Sequence, residues 1–284
     1  MLKVQNPGFY TSIQDLGRFG FRHLGVPVSG VADQGAAMRS NALLENDPND
    51  AVLEITMNGP VLEFTEPTQI VLCGAPLEAF LDGIPLEMNQ IYKVSAGAMF
   101  TSGHVREGLR AYLSVKGGFQ SEPKLGSRSQ FFPITPGNTV RKGALIPYRP
   151  NTDFTPKLLK IKPTKVRKYK FLSVSPGPEY ELFDKDYINN IFNIKFQISK
   201  NHNRMACQLE PNLPGHDIRI ITSATLPGTV QITPSGRLIV LMRDGQTTGG
   251  YPRILQLDAD SQDRLGQKQF GDVIRFEKSE NGQI

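Results

Sequence analysis

The sequence predicts an all-β fold, and three observations predict it. Twenty-seven glycines and 21 prolines cut the 284 residues into short segments. Most of those segments carry a brief apolar run bounded by Gly, Pro or Asn-Gly, the rhythm of strands joined by turns. Only two stretches carry a convincing helical pattern, and so few helices cannot cover both faces of a parallel sheet, which favours barrels or sandwiches. The length fits one large domain or two compact ones with real cores.

Strands are expected at 52–56, 61–64, 69–72, 79–81, 91–94, 99–101, 110–115 and 145–147, and again at 170–175, 195–198, 217–222, 229–232, 238–242, 254–257 and 273–276. The first helix is expected at 33–45, with Asp33 as N-cap and Ala37, Met38, Ala42 and Leu44 on one side. The second, at 179–192, follows Pro178, a residue suited to a helix start. A short third helix is expected at 260–265. Gly97-Ala98-Met99-Phe100, Gly143-Ala144-Leu145-Ile146 and Gly271-Asp272-Val273-Ile274 each place a glycine and a small or acidic residue before a strand. This echo suits two related β-domains, but ordinary turn-strand grammar in a β-protein accounts for it better.

The net charge of +5 is concentrated in one place. Between Pro156 and Lys170 stand Lys157, Lys160, Lys162, Lys165, Arg167, Lys168 and Lys170 with no acidic residue, and the remainder is close to neutral. Two prolines and a single tyrosine in that stretch do not make a nucleic-acid face, so it reads as a solvated linker or edge strand, or as an anion or partner contact. It divides the chain into an N-terminal β-domain at 1–150, a basic linker at 151–168 and a C-terminal β-domain at 169–284. Cys73 and Cys207 lie far apart without a CxxC, which disfavours a disulfide framework and a zinc ribbon and points to a reducing cytoplasm. The N-terminus shows no apolar signal region, and the longest strongly apolar run, 238–242, is far short of a membrane span.

Three blocks carry polar groups in glycine-rich settings. In the first, from Ser12 to Asp33, Gln14, Asp15, Arg18, Arg22, His23 and Ser29 lie among glycines just before the best helix. Turned backbone amides, a helix N-terminus and forked guanidinium donors there suit a carboxylate or phosphate; a turn-rich connector with Asp15 and Arg18 capping turns explains the same residues. In the second, strand 110–115 runs through Gly117-Gly118 to Leu125-Gly126-Ser127-Arg128-Ser129, which presents hydroxyls and one guanidinium or forms an exposed turn. In the third, a buried strand at 238–242 ends in Arg243-Asp244-Gly245-Gln246-Thr247-Thr248-Gly249-Gly250-Tyr251, which fixes a carboxylate, an amide, two hydroxyls and a phenol at one point. There is no P-loop, GxGxxG, GxSxG or HExxH motif, and His23, His104, His202 and His216 lack metal-ligand spacing, so no metal is expected.

Together these blocks resemble the carboxyltransferase family shared by allophanate hydrolase, urea carboxylase and bacterial ATP-dependent 5-oxoprolinase. The resemblance rests on Gln14-Asp15-Leu16-Gly17-Arg18, Gly25-Val26-Pro27-Val28-Ser29-Gly30, Gly59-Pro60, Lys116-Gly117-Gly118, Leu125-Gly126-Ser127-Arg128-Ser129, Gly177-Pro178, Asn203-Arg204-Met205, Gly228-Thr229-Val230-Gln231 and Asp244–Pro252, in the family's order. It implies two cyclophilin-like β-barrel domains and a subunit of an ATP-dependent 5-oxoprolinase, which opens the lactam of 5-oxoproline to glutamate. It also implies two partners, a sister subunit resembling a kinase inhibitor and a lactam-hydrolysing subunit, with ATP shared with or bound by those partners. For the reaction it implies Asp15, Arg18 and Asp244 as catalytic groups. Gln14, His23, Ser29, Ser127, Arg128, Arg204, Gln246, Thr247, Thr248 and Tyr251 are then substrate-binding. A biotinyl-lysine hairpin is absent, so a biotin-dependent carboxyltransferase role needs a carrier on another polypeptide; a third reading is a regulator that binds a kinase-inhibitor-like protein. The chain departs from the family at Ala206 and Gln208, where Arg-Met-Gly followed by Arg-Leu is usual, and at Leu265-Gly266-Gln267, where an Ala-Gln pair is usual.

Overall fold

The computed structural model describes residues 1–158, 160–161 and 170–279. Its contacts divide the chain into two compact units. One is built from Met1–Arg18 and the chain from Ser29 to the basic stretch, and the other from Phe19–Val28 and the C-terminal part. Of the basic stretch, Lys162, Lys165, Arg167 and Lys168 lie outside the described residues. Lys157 pairs with Glu45 at 3.8 Å, Lys160 contacts Glu87, and Phe154 and Ile161 pack on Leu43, Leu44, Val71 and Cys73, so these four residues are held by the first unit.

The first unit contains β1 (Leu2–Asn6), β2 (Tyr10–Gln14), α1 (Gln34–Leu43), β3 (Val52–Thr56), β4 (Val61–Phe64), β5 (Thr68–Gly74), β6 (Leu77–Leu81), β7 (Ile84–Pro85), β8 (Ile91–Val94), β9 (Met99–Val105), β10 (Arg110–Val115) and β11 (Leu145–Ile146). They form a six-stranded sheet, β11-β1-β4-β9-β6-β7, and a five-stranded sheet, β2-β3-β10-β5-β8. Leu2, Val4, Leu62, Phe64 and Phe100 from the first meet Leu53, Ile55, Ile70, Leu72 and Leu113 from the second in one buried cluster. Burying such side chains contributes about 1.5–3 kcal/mol each, the largest of the forces that hold two sheets together. Asp33 caps α1, its carboxylate accepting from the Ala36 amide at 2.8 Å, as the sequence predicts.

The second unit contains β12 (Phe171–Pro176), α2 (Lys185–Asn193), β13 (Phe196–His202), β14 (Ala206–Glu210), β15 (Ser223–Ala224), β16 (Thr229–Ile232), β17 (Leu238–Leu241), β18 (Thr248–Gly249), β19 (Arg253–Leu257), α3 (Ala259–Gly266) and β20 (Val273–Lys278). Seven of them close a barrel in the order β12-β19-β16-β17-β14-β13-β20, in which β12 and β20 pair in parallel. Closure removes exposed sheet edges, and Leu172, Phe196, Ile198, Leu209, Val230, Val240, Ile254 and Phe276 fill the interior. The protein is therefore mainly β, as expected.

Several elements differ from expectation for local reasons. β1, β2 and β14 do not stand out in the sequence because their buried positions alternate with polar ones, or, in β2, are themselves polar: Thr11, Ser12 and Gln14 are all buried. The helix expected at 179–192 begins later, at Lys185, because Asp184 rather than Pro178 sets its start, accepting from the Tyr187 amide at 2.7 Å. Residues 180–182 form a separate 3-10 turn. The strand expected at 217–222 is absent. There His216 accepts the Ile218 amide at 3.2 Å, and the extended chain enters β15 only at Ser223.

Glu179 and Arg253 brace the start of the α2 region against β19. Arg253 donates through its amide, Nε and Nη2 to the Glu179 carboxylate at 2.8, 2.9 and 2.6 Å. At Gly177 a Cβ would stand 2.1 Å from the Arg253 carbonyl oxygen, so the two backbones meet where only glycine fits. The Arg253 hydrogen bond holds the Glu179 carboxyl below its ordinary range against an opposing effect of burial. A depressed folded value means that the stabilisation is present above the ordinary carboxylate range and lost as pH falls through the folded value. Glu179→Gln should therefore cost about 1–2 kcal/mol at neutral pH. The gap to wild type should narrow as pH falls below about 4, which denaturant unfolding at pH 7 and pH 3.5 measures.

Candidate functional site

The residues singled out in the sequence occur in two clusters, one in each unit. In the first unit β2 ends at Gln14, and Asp15 follows it into the interior, 3% exposed. Its Oδ1 accepts from the Gly17 amide at 2.9 Å, Ser127 Oγ at 2.7 Å and Ser129 Oγ at 2.6 Å, while Oδ2 accepts from the Arg128 amide at 2.6 Å. Bonds from neutral donors to an ionised acceptor are stronger than neutral pairs, so one carboxylate organises two loops. The 124–127 loop suits this task. Leu125 and Gly126 both have positive φ, 51° and 74°, and Lys124 and Ser127 bridge across them, which makes a tight hairpin turn that delivers Ser127, Arg128 and Ser129 to Asp15.

The guanidinium groups of this cluster are engaged with main chain. Arg18, 1% exposed, donates from Nη2 to the Ser129 carbonyl at 2.6 Å and from Nε to the Lys124 carbonyl at 3.5 Å. Arg128 donates to the Ser121 carbonyl and, at 3.2 Å, to Gln120 Oε1. Gln14 donates to Ser12 Oγ at 3.1 Å and the Gln130 carbonyl at 3.3 Å. Ser29 is fully buried with φ 57°, and Gly30 beside it, φ 85°, lies so close to Leu16 and Gly17 that a Cβ would come within 2.8 Å of their backbone. Asp15, Arg18, Ser29, Ser127 and Arg128 thus share one packed knot, and the turn-capping role of Asp15 and Arg18 is the one their hydrogen bonds display.

A second polar network in this unit escapes sequence reading. Glu54 on β3, fully buried, accepts from the Ala32 amide at 2.7 Å and from the Tyr112 hydroxyl at 3.0 Å, and pairs with Arg110 at 3.5 Å. The Tyr112 oxygen in turn accepts from the Asp33 amide at 2.8 Å. Burial, reinforced by the Glu54 charge, pushes the Tyr112 phenol well above its ordinary value and keeps it a neutral donor. A lone carboxylate within the apolar run Val52-Leu53-Glu54-Ile55 was the available signal.

In the second unit Asp244 and Arg204 form a bidentate pair, Nε to Oδ2 at 2.7 Å and Nη2 to Oδ1 at 3.1 Å, both side chains nearly out of solvent. The Asp244 amide also donates to the Arg204 carbonyl at 2.8 Å. The following loop is fastened by Thr225, whose hydroxyl donates to the Gln246 carbonyl at 2.5 Å and whose amide donates to the Thr247 carbonyl at 3.0 Å. Buried Gln231 donates to the Tyr251 carbonyl at 3.2 Å and accepts from Gln246 Nε2 at 3.4 Å. A Cβ at Gly249 would stand 2.3 Å from Gln231 Nε2, so that glycine admits the amide cluster. Gln246, Thr248 and Tyr251 present their side chains to solvent, as does His23 in a 3-10 turn at Arg22–Leu24. Ala206 and Gln208, where the chain departs from the family pattern, lie on β14; Gln208 accepts from Asn201 and Arg237, so it holds a local role in the barrel wall.

No group of three or more His, Cys, Asp or Glu side chains suited to a metal occurs among the described residues. Nor is any described helix long and apolar enough to cross a membrane.

The model for the carboxyltransferase domain, subdomain A and B, matches residues 24–278, and the chain belongs to that family. It is 33% identical to the 5-oxoprolinase C subunit of Escherichia coli, over 97% of this chain and 90% of the relative, and 32% identical to that of Haemophilus influenzae, over 98% and 91%. Urea amidolyase of Lachancea kluyveri is 25% identical over 96% of this chain, which spans 17% of that protein. Among solved structures, one matches with TM-score 0.88 and 28% identity over 97% of this chain, which spans 56% of its length. The urea carboxylase of Kluyveromyces lactis matches with TM-score 0.84 and 27% identity over 97% of this chain and 27% of that one.

The two carboxylate knots make separate predictions. Asp15→Asn places an amide where four donors converge and should destabilise the first unit by about 2–4 kcal/mol, read by denaturant unfolding. Removing either partner of the Arg204–Asp244 pair strands a buried charge, at a cost of about 3–5 kcal/mol. The double variant Arg204→Met/Asp244→Leu should cost clearly less than the sum of Arg204→Met and Asp244→Leu, which a double-mutant cycle reads directly.

Proposed function

We propose that this chain is the C-type subunit of an ATP-dependent 5-oxoprolinase assembly, which hydrolyses the lactam of 5-oxo-L-proline to L-glutamate. The observation that carries this reading is the similarity to two bacterial 5-oxoprolinase C subunits along nearly their whole length, whereas the chain spans under a fifth of the urea amidolyase. A lactam carbonyl is a poor electrophile, and transfer of a phosphoryl group to its oxygen makes a leaving group before water attacks. Such chemistry needs donors held rigidly where negative charge develops.

The chain's own groups divide by what they touch. Asp15, Arg18 and Asp244 act as positioning residues: Asp15 and Arg18 set the 124–129 loop, and Asp244 with Arg204 sets the loop that carries Gln246, Thr247, Thr248 and Tyr251. The exposed hydroxyl of Thr248 and phenol of Tyr251 on that loop, with His23, are the groups presented to a small substrate. Arg18, Arg128 and Arg204, the guanidiniums that would take a phosphate, are engaged by carbonyl and carboxylate oxygens within the chain, so they do not fit a triphosphate cradle. The reading therefore assigns ATP to the sister chains, a kinase-inhibitor-like subunit and a lactam-hydrolysing subunit, and biotin to no residue of this one.

Co-expression with those two sister chains, followed by measurement of ADP release with and without 5-oxo-L-proline, tests the reading. Substrate-stimulated ADP release that disappears when this chain is omitted is the expected outcome. A stable complex without such turnover would overturn it. Carboxyl transfer on addition of a biotin carrier would then install the carboxyltransferase reading, and its absence a regulatory one.

A further inference from the structure

In the second unit half-buried Arg22, Arg237 and Arg275 form no ion pair among the described residues, and of these Arg22 is the one held by the carbonyl of Thr225. Arg243 pairs with Asp263, Arg253 with Glu179 and Arg204 with Asp244. Half-buried Arg22 pairs with no acidic side chain among the described residues; its Nη2 donates to the Thr225 carbonyl, and its Nη1 lies out of solvent with no acceptor. Burial without an opposite charge lowers its pKa. The position is nonetheless built. Arg22 opens a 3-10 turn closed by Gly25 at φ 78° and preceded by Gly20 at φ 88°, and a Cβ at either glycine would meet open space. Buried Val26 and Val28 anchor the turn beyond. The carbonyl that holds Nη2 belongs to Thr225, the residue that fastens Gln246 and Thr247, so the guanidinium is fixed to the loop carrying the exposed polar groups.

We infer that Arg22 is the receptor for the carboxylate of a small ligand in the second unit. A half-buried guanidinium held by one carbonyl and lacking an acidic partner is matched by a carboxylate. In the 5-oxoprolinase reading, on which the identity of the ligand rests, that group is the ring carboxylate of 5-oxo-L-proline. Arg22 then supplies affinity and orientation, and the lactam carbonyl carbon, about three bonds and about 4 Å away through the ring nitrogen, is left for the reaction. This assigns a specificity role: an amide without a carboxylate, such as 2-pyrrolidinone, gains nothing from Arg22.

The test compares wild type, Arg22→Gln and Arg22→Lys. In the reconstituted complex, Arg22→Gln should raise KM for 5-oxo-L-proline roughly 10-fold or more with kcat changed far less, and Arg22→Lys should recover part of the loss. Binding of 2-pyrrolidinone should be the same for all three. Unchanged KM in Arg22→Gln with normal turnover would overturn the inference while leaving the enzyme reading intact. A second measurement is independent of turnover: the unfolding midpoint of the whole chain alone, at constant ionic strength, with 5-oxo-L-proline, acetate, propionate or inorganic phosphate. A rise with carboxylates in wild type that Arg22→Gln abolishes supports the site even if the complex turns over nothing. No rise, an equal rise in both, or a rise with phosphate alone overturns it, and the ligand-free midpoints show whether each variant folds.

Discussion

The first unit depends on one buried carboxylate. Asp15 leaves the end of β2 and at once collects the Gly17 amide, the Ser127 and Ser129 hydroxyls and the Arg128 amide, joining segments more than 100 residues apart in the chain. An isolated carboxylate would be costly in this interior, and it is sustained because its donors are neutral, short and already placed by the 124–127 turn. Dependence runs the other way too. The donors come from loops with no regular structure, and without an acceptor their own amides and hydroxyls would be buried unsatisfied. Gly30 completes the arrangement by allowing the 29–33 segment to lie on Leu16 and Gly17, where the Val31 amide reaches the Asp15 carbonyl at 2.8 Å.

The molecule handles buried charge in three distinct ways, and the differences follow from what surrounds each site. Asp15 is solvated by neutral amides and hydroxyls. Glu54 combines an ion pair with Arg110 and two neutral donors, so the start of α1 is tied through Tyr112 and Asp33 to the centre of a sheet. Asp244 is matched by a two-pronged guanidinium. Only the last arrangement fixes both orientation and distance through a single partner, and it occurs directly before the glycine-rich loop that Thr225 and Gln231 fasten. A bidentate pair there substitutes for a hydrophobic anchor.

How much of this was legible follows from the kind of signal each feature leaves. β5, β10 and β17 announce themselves because unbroken apolar runs such as Leu238–Leu241 fit little besides a buried strand. Buried polar strands do not: β2 reads as a polar connector, and its Thr11, Ser12 and Gln14 are buried between pairing with β3 and the Val140 and Gln130 segments, which bond Thr11, Ile13 and Gln14. Residues 217–222 failed in the opposite direction, an alternating Ile-Arg-Ile pattern with no strand beside it. For the polar blocks the residues were visible and their company was not. Ser129, Thr225 and Gln231, which hold the clusters together, are ordinary residues whose importance arises from contacts across 15 to 114 positions.

Rigidity and availability are opposed properties, and the two clusters show how the chain separates them. A group that fixes a loop must have its hydrogen-bonding capacity met inside the protein, as Asp15 and Asp244 do. A group that meets a ligand must keep capacity in reserve, at the cost of being less well satisfied when alone. By that criterion sequence position is a poor guide, since Arg18 and Arg22 stand close together in the same glycine-rich block and look interchangeable there. Their surroundings distinguish them: one guanidinium is almost wholly buried and held by two main-chain carbonyls of the first unit, and the other is half-buried and held by a single carbonyl of the second. Unequal burial of two identical side chains is what separates the scaffold role of Arg18 from the recognition role proposed for Arg22.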